Sequence, residues 1–471
     1  MALDDRDHDP LVVIANRLPV RRTDAGWRPA AGGLVTALRP VVERTDGAWI
    51  GWDGGERDIP HRVEGLEVDL EPVRLTEAQV DGYYHGFANR TIWPLFHDLI
   101  VEPVIDRAWW RTYVEVNRAF AERVADLDLP GDRPVIWVHD YHLMLLPELV
   151  RGIRPDSPIG FFLHIPFPPP ELMARLPWRE DLLRGLLGAD VVAFHTERYR
   201  DNFCRAVAWV FPGAEVVGQT IHLGGRSIRT AAHGISIDTE EFTTLARSEE
   251  SERELAGLRE QFAGRSVFLG VDRVDYTKGI RHRLQAIERL LERDEDLRRR
   301  FAFVQIAVPS REDVAEYQAL REEIEGEVGR INGRFTEPGG NVPVHYLYRG
   351  ITKSQLAAYY RLADVMCVTP LKDGMNLVAK EYVTCQAAGD GAGVLLLSEF
   401  TGASLELPGA VTCNPFDVEG LSSMMSRCLE LDEADRRSRI AALADHVARN
   451  DVFAWVDAQL ADLAAAHPAG R

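Results

Sequence analysis

Val267-Phe268-Leu269-Gly270-Val271-Asp272-Arg273-Val274-Asp275-Tyr276-Thr277-Lys278-Gly279 reads as a strand that runs into a turn and opens a helix. The apolar run 267–271 does not alternate, so helices cover both faces of its sheet. Residues 279–292 follow as an amphipathic helix. Arg273 and Lys278 flank the turn between strand and helix. Two cations at a helix N-terminus suit a diphosphate leaving group, which gains negative charge as its bond breaks. A solvated charged loop is the plainer reading, but it does not account for the placement between strand and helix.

The same unit recurs along the chain. Residues 11–15, 135–139, 159–164 and 191–195 read as buried strands in the first half, and 267–271, 301–308, 365–369 and 394–398 in the second. Amphipathic segments lie among them at 198–210, 279–292, 311–329 and 353–362. Strand–helix alternation predicts α/β architecture with parallel sheets and right-handed crossovers. A chain of 471 residues exceeds what one core organises, which predicts two domains. A charge-rich helical stretch at 247–259 precedes a fresh strand, so the boundary is expected between 238 and 264, with domains 1–240 and 241–471. Two doubly wound domains facing each other would hold a ligand in the cleft, at the carboxyl ends of their strands.

Composition narrows the function. Lys and Arg number 54 against 73 Asp and Glu, a net charge of −19, which disfavours a nucleic-acid partner. Small phosphates would then be bound through isolated cations beside glycines. No apolar run approaches the roughly 18 residues needed to cross a bilayer, and the acidic N-terminus does not read as a signal peptide. No membrane partner is expected, and the compartment reads as cytoplasmic. Cys204, Cys367, Cys385, Cys413 and Cys428 are dispersed without a CxxC pair, against a disulfide framework or a zinc site. GxGxxG is absent, which argues against NAD or FAD. No cofactor and no metal are expected.

Other segments carry chemistry. Asn16-Arg17-Leu18-Pro19 follows the first strand, and Gly32-Gly33 precedes a helix, where backbone amides can approach an anion; taken alone, a tight turn with a surface arginine is the plainer reading. His139-Asp140-Tyr141-His142 closes another strand, with Asp140 either accepting from a sugar hydroxyl or capping a helix. His164 closes the next strand, before the rigid run Pro166-Phe167-Pro168-Pro169-Pro170. Lys372-Asp373-Gly374-Met375-Asn376 opens a helix whose first turns carry Leu377, Val378, Ala379, Lys380 and Glu381. There, helix amides and carboxylates could bind a nucleotide sugar. Tyr84 and Trp93 flank an aromatic–polar stretch suited to sugar stacking or to a core, and Ser310-Arg311 puts a cation after another strand.

Together these segments resemble the trehalose-6-phosphate synthase family. The likeness runs through Ala15-Asn16-Arg17, Gly32-Gly33-Leu34, Trp93-Pro94, His139-Asp140-Tyr141-His142, His164-Ile165-Pro166-Phe167-Pro168, 273–279, Gly329-Arg330-Ile331-Asn332-Gly333 and 373–382. It implies a GT-B fold, two Rossmann-like domains facing across a deep cleft, with the last helix packing back on the N-terminal domain. It implies metal-independent, retaining transfer of glucose from a nucleoside-diphosphate glucose to glucose 6-phosphate. Arg17, Tyr84, Trp93, Asp140 and Arg311 would hold that acceptor. Gly32, Gly33, Arg273, Lys278, Ile351, Asp373, Asn376, Leu377, Val378, Ala379, Lys380 and Glu381 would bind the donor, with Glu381 on the ribose. Asp140, His164, Arg273, Lys278 and Asp373 would carry catalysis.

Tyr348-Arg349-Gly350-Ile351 stands where relatives contact the base and departs from the enterobacterial pattern, so the base is left open among uridine, guanosine and adenosine. Homo-oligomerisation is also left open. Alternatives are a sister transferase using glycerol 3-phosphate or a cyclitol phosphate, a non-catalytic sugar-phosphate-binding relative, and a GT-B epimerase or phosphorylase. A regulatory relative would have lost Arg273, Lys278 or Asp373, and all three are present.

Overall fold

The computed structural model describes residues 10–23, 26–30, 35, 38–39, 42–43, 47–56, 58–128, 133–310, 314–336, 341–389 and 391–466. The chain forms two compact units, Met1–Gly234 with Val452–Arg471, and Ile235–Asp451.

The first unit is built on a sheet of β1 (Leu11–Arg17), β4 (Ala48–Trp52), β5 (Asp69–Val73), β6 (Val135–His139), β7 (Ile159–Leu163), β8 (Val191–Phe194), β9 (Glu215–Val217), β10 (Thr220–Leu223) and β11 (Arg226–Ala232). A separate antiparallel pair is formed by β2 (Val20–Thr23) and β3 (Gly26–Pro29). Among the described residues the main sheet runs β5-β4-β1-β6-β7-β8-β11-β10-β9, parallel from β5 to β11 and antiparallel beyond. The chain winds outward through β4 and β5, returns, and winds the other way from β6. The direction therefore reverses between β1 and β6. A parallel sheet leaves a crevice at such a reversal, beyond the carboxyl ends of its strands. Arg17 is the last residue of β1, and Asp140 follows the last residue of β6.

The second unit repeats the logic. It is built on β12 (Ser266–Arg273), β13 (Phe301–Val308), β14 (Val344–Tyr348), β15 (Val365–Val368), β16 (Val394–Ser398) and β17 (Val411–Cys413). Their order is β14-β13-β12-β15-β16-β17, parallel throughout. This is the doubly wound order of dinucleotide-binding folds, with its reversal between β12 and β15. Arg273 ends β12, and Lys372 and Asp373 follow β15. Continuous burial of β12, β13, β15 and β16 agrees with their unbroken apolar runs.

Two features depart from the sequence pattern. The aromatic–polar stretch around Tyr84 is a π-helix, Val80–Ile92, whose end is marked by Trp93 N–H donating to Ala88 O. Windings of this kind are rare and concentrate at functional sites. The amphipathic segment expected at 311–329 is a helix at Ala315–Phe335, starting after residues that are not described.

The helix Val452–Ala466 belongs to the first unit. Its Trp455 is almost fully buried, with ring centroids 5.4 Å from Trp137 and 5.0 Å from Phe162. His233 and Arg229 both pair with Asp462, at 2.7 and 2.6 Å. Trp455→Ala should cost about 3–5 kcal/mol, whereas Phe453→Ala on the exposed side of the same helix should stay within about 0.5 kcal/mol. Urea unfolding of the two variants compares them directly, and equal losses would mean that Trp455 does not anchor this helix.

Candidate active site

In the first unit the site grows from the ends of β1, β4 and β6. The Arg17 guanidinium lies 4.3 Å from the Trp52 ring centroid and 5.7 Å from that of Tyr84. Among the described residues no carboxylate pairs with it. Aromatic faces hold a cation in place without neutralising it, so Arg17 keeps its full charge for an anion. Tyr84 in turn stacks on His142, with centroids 5.8 Å apart and planes 14° apart. Beneath it, buried Tyr83 donates to Asn16 Oδ1 at 2.9 Å and fixes the end of β1.

Asp140 has φ +76° and ψ 167°. Glycine alone reaches this region cheaply, and other residues held there cost of order 1–3 kcal/mol. Its N–H still donates to Phe162 O at 2.8 Å, continuing the sheet, and the left-handed turn then throws the side chain out of line with the strand. The carboxylate makes no capping bond to the turn Tyr141–Leu143, so the helix-cap reading fails. Instead, Oδ1 accepts from His164 N at 3.3 Å, and Oδ2 lies 3.9 Å from His142 Nδ1. His164 itself is half-buried just past β7, its Nε2 3.2 Å from His139 Nδ1. Trp93 is buried between His97 and Tyr141, with centroids 4.2 and 5.6 Å away.

In the second unit the loops after β12 and β15 meet. Lys278 Nζ donates to Asp373 Oδ2 at 2.6 Å, joining positions 95 residues apart. Asn376 Nδ2 donates to the same oxygen at 3.0 Å, while Asn376 Oδ1 accepts from Ala379 N and caps the helix Leu377–Ala388. Asn376 holds φ +80°, a second non-glycine residue in a left-handed conformation at a strand-to-helix turn. The first-turn amides of Leu377 and Val378 have no intrahelical partner by position and face outward along the dipole. Arg273 is exposed at the end of β12. Asp275 is buried and serves the turn, accepting from Thr277 N and Oγ1 at 2.9 and 2.8 Å. Gly279 (φ +66°) closes it, since a Cβ there would collide with Thr369 O.

Some expected residues turn elsewhere. The Lys380 ammonium is 1% exposed and donates to Ile235 O at 2.8 Å and to Glu406 Oε2 at 2.6 Å. It is unavailable to a diphosphate, and only its backbone remains for a donor. Glu381 accepts from Tyr360 Oη at 2.7 Å, and burial raises its carboxyl above the usual range against that bond. Ile351 lies half-buried between β14 and the helix Lys353–Leu362. Gly32, Gly33 and Arg311 lie outside the described residues.

Sequence reasoning missed the support. Arg283 is fully buried; its Nε donates to Thr369 Oγ1 at 2.9 Å, and Nη1 to Asp272 Oδ2 at 2.6 Å and Gln305 Oε1 at 2.8 Å. Gln305 Nε2 also donates to Asp272 Oδ2, at 3.1 Å. Gly270 makes room for this cluster, since a Cβ would strike Arg283 Nη1. A glycine inside an otherwise large-residue strand was the available signal. Trp52 under Arg17 had no such signal. Among the described residues, no three His, Cys, Asp or Glu side chains gather as a metal site.

The model of glycosyltransferase family 20 matches residues 9–465. The trehalose-6-phosphate synthase of Mycobacterium bovis is 45% identical over 98% of this chain and 95% of its own length. The crystal structure of an alpha,alpha-trehalose-phosphate synthase (UDP-forming) from Burkholderia vietnamiensis is 36% identical with a TM-score of 0.91, covering 98% of both chains. The Burkholderia xenovorans enzyme in complex with glucose-6-phosphate is 36% identical with a TM-score of 0.87, over 96% of this chain and 99% of its own.

The positive φ of Asp140 yields a test. Asp140→Gly and Asp140→Ala lose the same carboxylate, but only alanine retains the strain. The glycine variant should be more stable than the alanine variant by about 1 kcal/mol or more, with activity lost in both. Thermal unfolding reads the difference; an alanine variant as stable as the glycine variant would mean that the turn is unstrained.

Proposed function

The chain belongs to glycosyltransferase family 20, and on that premise we propose how its residues make trehalose 6-phosphate. It is a GT-B glycosyltransferase with trehalose-6-phosphate synthase activity. The proposed division of work is that the second unit binds a nucleoside-diphosphate glucose and the first unit holds glucose 6-phosphate. The observation that supports this reading is the convergence of Lys278, Asp373 and Asn376 at the reversal of a doubly wound sheet, where Arg273 ends β12.

In this reading, Arg273 and Lys278 bind the diphosphate, helped by the helix amides at Leu377 and Val378. Lys278 also neutralises Asp373, so that carboxylate can meet the glucose hydroxyls without repelling the phosphates. Glu381 takes the ribose, and Ile351 lines the base. His164 addresses the transferred glucose. Asp140 orients the acceptor hydroxyl, and Tyr84 and Trp93 shape the acceptor pocket. Arg17 and Arg311 bind the 6-phosphate. The bond from glucose C1 to the diphosphate oxygen breaks as the acceptor hydroxyl attacks from the same face. The departing phosphate oxygen takes that hydroxyl's proton, so configuration is retained without a protein nucleophile. The chemistry is electrostatic stabilisation and orientation, with the two cations in the role a divalent metal has elsewhere. We place the work in the cytoplasm, a reading supported by five cysteines that are all buried and unpaired.

Arg273→Ala should lower kcat about 10²–10³-fold with little effect on acceptor affinity, and wild-type activity should survive EDTA. Nucleoside diphosphate release measured with UDP-, GDP- and ADP-glucose tests this and identifies the base. Near-normal turnover of the variant would sink the leaving-group role, and loss with EDTA rescued by magnesium or manganese would sink metal independence.

Arg17→Ala should raise KM for glucose 6-phosphate while sparing donor affinity, a loss of about 1.5–3 kcal/mol for a charge-assisted contact. Unphosphorylated glucose should be a very poor acceptor for the wild type. Comparable use of glucose and glucose 6-phosphate would overturn the phosphate site.

A further inference from the structure

His139, His164 and His195 stand side by side at the carboxyl ends of β6, β7 and β8, with ring centroids 5.4 and 5.7 Å apart. His195 Nε2 lies 3.0 Å from His164 O, so this nitrogen donates and its proton is fixed there. His139 Nδ1 lies 3.2 Å from His164 Nε2, and one proton must lie between them. Burial pushes His139 down to about 3, and burial with both neighbouring rings drives His164 well below its usual range. Both rings are therefore neutral, with one proton each.

Which ring donates follows from the far side of His139. That residue is fully buried against Trp137, with ring centroids 4.7 Å apart, and its Nε2 has no hydrogen-bond partner among the described residues. If His164 donated, His139 would carry its own proton on Nε2, a buried N–H with nothing to accept it. If His139 donates, only a bare lone pair is left there. Orphaned buried N–H groups are the rarer of the two defects.

We propose that His139 is a positioning residue: its Nδ1–H donates to His164 Nε2 and fixes His164 as the Nδ1–H tautomer, a hydrogen-bond donor to a hydroxyl of the transferred glucose. This rests on the reading that His164 addresses that sugar. The proton chain has one direction, from His139 Nδ1 to His164 Nε2 and from His164 Nδ1 outward to the ligand. A hydroxyl facing it must accept, which sets the direction of that hydroxyl's own proton. Partners behind a functional imidazole commonly set its tautomer in this way.

The test uses the full-length enzyme with ¹⁵N-labelled histidine, unliganded, in long-range ¹H–¹⁵N spectra. His164→Gln assigns the signals. The wild type should carry the His164 proton on Nδ1 with Nε2 bare. His139→Asn places an amide N–H where His139 Nδ1 stood and should keep that pattern with near-normal kcat. His139→Leu removes the donor; it should mix the two tautomers and lower kcat about tenfold or more, while KM for glucose 6-phosphate moves far less. A protonated Nε2 on wild-type His164 overturns the proposal. So does an asparagine variant as slow as the leucine variant at equal melting midpoints. If the tautomer is as stated but His164→Gln turns over normally, the reading of His164 as a sugar contact fails instead, and the two failures are distinguished.

Discussion

The second unit depends on one buried cation. Arg283 is removed from water, and among the described residues its charge is met by Asp272, with Thr369 and Gln305 taking further N–H groups. An unpaired guanidinium there would be prohibitively costly, so these partners must stay in register. The four residues come from the end of β12, the helix Ile280–Arg293, β13 and the residue after β15. Both loops of the proposed donor site start from those strand ends. A single guanidinium thus ties β12, β13 and the residue after β15 together before any ligand arrives, the kind of preorganisation that electrostatic catalysis needs.

Backbone strain is used in both units, directly after a strand in the first and at a helix start in the second. A residue that leaves a parallel strand in an extended conformation keeps its side chain on a sheet face, under a helix. Asp140 takes positive φ at that point and its carboxylate leaves the sheet face, whereas Asn376 takes positive φ further on, as the N-cap of the helix Leu377–Ala388. Glycine would form either turn more cheaply but would bring no carboxylate or amide. The cost of each turn is offset by local contacts: the sheet bond from Asp140 N to Phe162 O, and the cap from Asn376 to Ala379 N.

Cations in this acidic chain are kept apart by their settings. Arg17 rests on aromatic faces and keeps its charge, Lys278 is largely buried and paired with Asp373, and Lys380 is buried on Glu406. In the proposed reading, the first two are the cations that meet a phosphate. Three similar side chains in three dielectric environments therefore have different chemistry.

The sequence by itself determined the class of fold and pointed to the candidate site residues. Unbroken apolar runs such as 301–308 report burial of both strand faces, and that signal is local. So is a cation or carboxylate directly after such a run. Short or half-buried strands escaped it: β14 lies at a sheet edge, β17 has three residues, and β9 and β10 add an antiparallel margin. The winding of Val80–Ile92 escaped it too, because i→i+5 bonding leaves no distinct periodicity in so few residues. Only the tertiary structure decided which groups meet. Strand order brought Lys278 to Asp373, put Trp52 under Arg17, turned Lys380 inward, and gave Arg283 its partners. These pairings span tens of residues, and no local pattern encodes them; they follow from which strands lie side by side.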